Sequence, residues 1–125
     1  MAIDDKCILL VDADEDLSGA LQLLFDHQGY CLTVARSSAE ALRRAGSEHF
    51  DLFILSSRMP DGTGLELCRQ IRAHDHDTPI VFYSAAAYAA GKQSGLANGA
   101  QAYLVKPAVF DKLLRTVSQL MAISH

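Results

Sequence analysis

The chain has no surplus of positive charge. Its 11 Lys and Arg stand against 15 Asp and Glu, for a formal net charge of −4, and that balance leaves no basic footprint for a nucleic acid. No apolar run approaches the length that crosses a bilayer, and the first residues, Met1-Ala2-Ile3-Asp4-Asp5-Lys6, lack the apolar core of a secretory signal. Membrane partners are therefore not expected, and a cytoplasmic location is. Cysteine is sparse: Cys7, Cys31 and Cys68 are odd in number and widely spaced, so a disulfide framework is excluded and buried, reduced thiols are expected. Low-complexity tracts, linkers and internal repeats are missing as well. The 125 residues suit one domain, 1–125, with one core.

What is present is an alternation of short apolar runs with segments of helical spacing. Cys7–Val11, residues 30–35, Leu52–Leu55, residues 79–83 and Ala102–Val105 are runs too short for helices and read as strands, most of them buried on both faces. Between them, Leu17, Ala20, Leu21, Leu24 and Phe25 repeat at helical spacing up to a stop at Gly29. Ser37-Ser38-Ala39-Glu40 has capping-box spacing before Ala41, Leu42 and Ala45. Leu65, Leu67, Cys68 and Ile71 mark a third helix, the alanine-rich 85–98 a fourth closed by Gly99, and Phe110, Leu113, Leu114, Val117, Leu120 and Met121 a fifth. Five strands alternating with five helices on short loops predict an α/β fold, a three-layer α/β/α sandwich around a parallel sheet. In such sheets chemistry collects at the carboxyl ends of the strands, which here carry Asp12, Ala13 and Asp14, then Ser56, Ser84 and Lys106.

The residues Asp51-Leu52-Phe53-Ile54-Leu55-Ser56-Ser57-Arg58-Met59-Pro60-Asp61-Gly62-Thr63-Gly64 follow the order D-L-hydrophobic-x-L-D-x-x-M-P-x-x-x-G, with Ser56 in place of the second aspartate. Together with Leu10-Val11-Asp12, Ser84-Ala85, Gly99-Ala100 and Tyr103-Leu104-Val105-Lys106-Pro107, they make the whole chain resemble response-regulator receiver domains of two-component phosphorelay signalling. The resemblance implies a flavodoxin-like fold with strand order 2-1-3-4-5. It implies that Asp12 matches the first of two acids of a magnesium site, Ser84 the hydroxyl and Lys106 the lysine that hold an acyl phosphate, and Tyr103 an aromatic switch. Ala13 then stands where the direct metal ligand belongs, and Ser56 where the phosphoacceptor belongs.

The usual receiver pocket holds three carboxylates and one ammonium, whereas Asp12 and Lys106 sum to zero. A hard cation wants carboxylate oxygens, so no cofactor is expected, magnesium included, with Asp12 and Asp14 the remaining candidate ligands. Asp14 reads chiefly as a helix cap. The expected function is that of a degenerate receiver without aspartyl phosphorylation, not an enzyme, working through protein–protein contacts with a histidine kinase or an output protein. Two alternatives stay open: a receiver that still answers to phosphate through a repaired site, and a small hydrolase-like domain using Ser56 with Lys106 as its base. Arg58 reads as a solvated loop residue or as a partner for Asp12. His74-Asp75-His76-Asp77 reads as a solvated loop rather than a metal site. Tyr103 and Tyr88 are candidate switch or interaction residues. With Lys92, Leu96 and Lys112, they lie on the region of the last two helices and the fifth strand, the face expected to bind a partner or a second copy in a homodimer. The alternative for Tyr103 is a partly buried strand-end aromatic.

Overall fold

The computed structural model describes residues 6–84, 89–106 and 110–123. In chain order the elements are β1 (Cys7–Val11), α1 (Glu15–His27), β2 (Cys31–Ala35), α2 (Ser38–Ser47), β3 (Leu52–Leu55), β4 (Arg58–Met59), β5 (Gly62–Thr63), α3 (Gly64–Arg72), β6 (Ile80–Ser84), α4 (Ala89–Ala97), β7 (Ala102–Val105) and α5 (Phe110–Ile123). The main sheet runs β2-β1-β3-β6-β7 and is parallel throughout. Counting its five strands alone, this is the expected order 2-1-3-4-5.

Alternation along each strand sends neighbouring side chains to opposite faces, and here both faces are apolar. Ile8, Leu10, Leu52, Ile54, Val81, Tyr83 and Leu104 meet Leu21 and Phe25 of α1 and Leu113, Val117 and Met121 of α5. Leu9, Val11, Phe53, Leu55, Ile80, Phe82 and Tyr103 meet Ala41 of α2 and Leu67, Cys68 and Ile71 of α3. The result is the three-layer sandwich.

Capping fixes where the helices start and stop. Asp14 is the N-cap of α1 and accepts from the Leu17 N–H at 3.1 Å. Ser37 caps α2 through the Glu40 N–H, while the Glu40 carboxylate takes the Arg36 N–H. At the other end of α1, Gly29 sits at φ 89°, where the N–H of Gly29 bonds Asp26 O and that of Tyr30 bonds Phe25 O, both at 3.0 Å. This is a Schellman closure, and the Tyr30 ring packs tilted on Phe25 at 5.7 Å. Tyr30 thus belongs to the helix cap, and β2 begins one residue later than expected. Gly99, at φ 106°, closes α4 in the same way.

Two further expectations are corrected. The segment after β3 is not plain loop: Arg58–Met59 and Gly62–Thr63 pair as a small antiparallel ribbon. Nor are all three thiols buried. Cys68 is buried and Cys7 half-buried, but Cys31 is exposed; it opens the edge strand β2, which has a neighbouring strand on one side only. In the His74-Asp75-His76-Asp77 loop, Asp75 is occupied in a turn, accepting from the N–H of Asp77 and Thr78 and from the Thr78 hydroxyl.

Gly64, the first residue of α3, is required by a close approach. A Cβ there would lie 2.0 Å from Ser56 O and 2.9 Å from the Phe82 ring. Gly19 in α1 faces open space. Gly64→Ala is therefore expected to cost at least about 2 kcal/mol by overpacking, and Gly19→Ala to stabilise by about 1 kcal/mol through helix propensity. Urea denaturation of the two variants checks both signs.

Candidate functional site

The carboxyl edge is assembled by strand ends. Val11 O accepts the Ser56 N–H at 3.0 Å, Ala35 O accepts the Asp12 N–H at 3.0 Å, and Ser84 O accepts the Lys106 N–H at 2.7 Å. These bonds carry the sheet ladder one residue further and bring Asp12, Ser56, Ser84 and Lys106 to one edge, as expected from the sequence.

Asp12 is 4 % exposed, and both its oxygens are engaged. Oδ1 accepts from the Asp14 N–H at 2.9 Å, and Oδ2 accepts from Lys106 Nζ at 2.8 Å, across 94 residues of chain. Between β1 and β7 in the sheet lie β3 and β6, so the lysine side chain reaches back over the ends of both. On its way it passes the face of Tyr83, with Nζ 5.5 Å from the ring centroid, a distance suited to cation–π attraction. Burial pushes the Tyr83 phenol above its ordinary pKa.

Ser56 is half-buried. Its hydroxyl donates to Arg58 O at 3.4 Å and lies 3.5 Å from the Arg58 N–H. No hydrogen bond joins it to Lys106, which is engaged with Asp12. Ala13 is exposed and brings no donor. Arg58 is exposed on the β4–β5 ribbon, and the ion pair with Asp12 weighed from the sequence is not made; Lys106 occupies that place.

The sequence reading missed Ser57. Its hydroxyl hydrogen-bonds the Ser84 hydroxyl and lies 3.2 Å from the Tyr103 hydroxyl. Tyr103 itself is 8 % exposed, stacked on Phe82 at 5.3 Å and 23°. A Cβ on Gly95 of α4 would come within 3.1 Å of the Tyr103 ring and 3.2 Å of Phe82. The Tyr103 ring is thus held inward, while Leu96 and Val105 are the exposed apolar residues nearby. Tyr88 lies outside the described residues, as does the Lys92 side chain. No signal in the Ser56-Ser57 dipeptide distinguishes the second serine; only the turn into β4 aims it at Ser84.

Asp61 was likewise not foreseen as a site residue. From the turn between β4 and β5 it accepts the N–H groups of Ser38 and Ala39 at 2.8 and 2.9 Å, the positive end of α2. Those bonds, Ala39's first, hold its carboxyl below the usual range.

Residues 8–118 match the family model of the response regulator receiver domain. The chain belongs to that family. Among curated relatives of this receiver, the response regulator ArlR of Staphylococcus epidermidis is 34% identical over 110 residues, 88% of this chain and 50% of that protein. The chain thus spans about half the length of the curated relatives it matches. Among solved structures, the receiver domain of Francisella response regulator 1452 superposes with a TM-score of 0.92 at 27% identity, covering 97% of this chain and all of that one. Response regulator TrrA of Thermotoga maritima, solved in complex with Mg2+-BeF, superposes with a TM-score of 0.84 at 32% identity over 92% of this chain and 98% of its own. No helix among the described residues of this receiver is long and apolar enough to cross a membrane.

Removing the ammonium from the Asp12–Lys106 pair leaves a buried carboxylate without its counter-charge. Lys106→Met is expected to lower stability by about 3 kcal/mol. Adding Asp12→Asn to it should recover part of that loss. Equilibrium denaturation of the two singles and the double gives the coupling energy, and a coupling near zero would show that the pair contributes nothing.

Proposed function

We propose that this receiver works without aspartyl phosphorylation and passes its signal through protein contacts alone. One observation carries the reading: the charges at the carboxyl edge close on themselves, Asp12 on Lys106 at 2.8 Å, and the acceptor position holds the hydroxyl of Ser56. A serine hydroxyl is a poor nucleophile without a base, and Lys106 is spent on Asp12.

The donor set argues in the same direction for metal. Magnesium takes near-octahedral oxygen coordination anchored by carboxylates. Ala13 supplies no side-chain oxygen, Asp14 is engaged in capping α1, and Asp12 would have to give up Lys106. The residues present do not fit a resident magnesium ion, so no step of the proposed function runs through one. No turnover is proposed for the domain.

The proposed partners are a histidine kinase or an output protein of a two-component system in the cytoplasm. The proposed contact face is that of α4, β7 and α5, available also to a second copy. With Tyr103 turned inward, Leu96 and Val105 supply the apolar contacts of that face.

Incubation with a small acyl phosphate and magnesium, followed by intact-mass measurement, tests the reading. The wild type is expected to gain no phosphate. Ser56→Asp alone should label poorly, because position 13 still lacks a carboxylate, whereas Ser56→Asp with Ala13→Asp should label much better and only with magnesium. A phosphate adduct on the wild type would overturn the proposal.

A further inference from the structure

A second pair of reactive groups lies at the opposite, amino edge of the sheet. Cys7 begins β1 and Cys31 begins β2, and the two are direct register partners in the parallel ladder. They also share a face. Cys7 alternates with Leu9 and Val11 and packs against their cluster, to which Ala35 of β2 belongs; Cys31 lies two and four residues before Thr33 and Ala35, so the period of two puts it on that same face. The backbones on both sides are fixed. The Cys31 N–H bonds Lys6 O at 2.8 Å, and the Asp51 N–H bonds Cys7 O at 2.7 Å. The Cys7 N–H in turn bonds the Asp51 carboxylate at 2.8 Å. Both residues are thiols.

We infer that Cys7 and Cys31 form a dithiol site that reacts with low-molecular-weight disulfides and closes into a cross-strand disulfide. Adjacent strands lie ~4.8 Å apart, inside the Cα separation of roughly 4.4–6.8 Å that a disulfide bridges. Cys31 is exposed, so its thiolate is the one that meets the reagent. It attacks one sulfur of R–S–S–R, forming Cys31–S–S–R and releasing one thiolate. The Cys7 thiolate then attacks Cys31 Sγ, the Cys7–Cys31 bond forms, and the second RS⁻ leaves. The two protons lost by the cysteines end on the two released thiols, the protein being oxidised by two electrons and the small disulfide reduced. Cys68 provides an internal control. It lies on the buried face of α3, and its Sγ–H points at Asn98 O, 3.4 Å away.

The test treats the folded wild-type chain with glutathione disulfide, alkylates in denaturant, and reads intact mass and linked peptides. The expected product has lost the mass of two hydrogens, carries one alkyl group on Cys68, and yields a peptide joining Cys7 to Cys31; dithiothreitol should return all three thiols. Cys7→Ser should stop the reaction at a stable glutathione adduct on Cys31, and Cys31→Ser should abolish the joined peptide. A lasting adduct on Cys31 of the wild type would overturn the proposal. So would a dimer linked through Cys31, a bridge to Cys68, or three alkylated thiols.

Discussion

The receiver's carboxyl edge depends on one ion pair, Asp12 with Lys106. It joins the ends of β1 and β7, which are separated in the sheet by β3 and β6, and so spans the ends of the strands that carry Ser56 and Ser84. Taking an ammonium and a carboxylate out of water is costly, and the attraction between them offsets that cost only when other hydrogen bonds satisfy the remaining atoms. Here the Asp14 N–H and the Tyr83 ring do so. The pair thereby fixes the lysine over the middle of the edge, while Ser57 bonds Ser84 and Tyr103 and Ser56 turns to the Arg58 backbone. The two opposite charges of this edge thus meet each other.

The fold was legible because its strands are apolar on both faces. Leu52–Leu55, for example, has no polar residue in it, and no helix of four residues would bury such a run. The order of strands came from family resemblance, not from the pattern, since a parallel sheet with short crossovers admits several orders. Boundaries failed where one residue serves two elements. Tyr30 is apolar and adjoins a strand, yet its N–H belongs to the cap of α1, an obligation that sequence periodicity does not register.

At the site, the positions at strand ends were found and their pairings were not. Strand ends follow from where the apolar runs stop, and parallel strands place Asp12, Ser56, Ser84 and Lys106 at the same edge. Which polar atom meets which depends on side-chain reach and turn geometry. Lys106 was weighed as a base for Ser56 and turned to Asp12. Arg58, two residues from Ser56, turned outward on the small ribbon that the sequence did not announce. Nothing in the sequence singles out Ser57; the turn after β3 brings its hydroxyl to Ser84 and Tyr103. Cys31 was read as buried from its apolar neighbours, although burial on an edge strand depends on what stands beside it.

The packing of Gly95 against Tyr103 and Phe82, and of Gly64 against Phe82 and the Ser56 carbonyl, bears on how the domain is able to drift. Each aromatic ring fills the space that a side chain at a glycine would need, and each glycine leaves the room that a ring occupies. A single change at either glycine meets a ring or a carbonyl already in place, and a smaller side chain at Phe82 or Tyr103 leaves a void. A substitution at any one of these four positions is therefore felt at its neighbours, which must move to make room or to fill the gap.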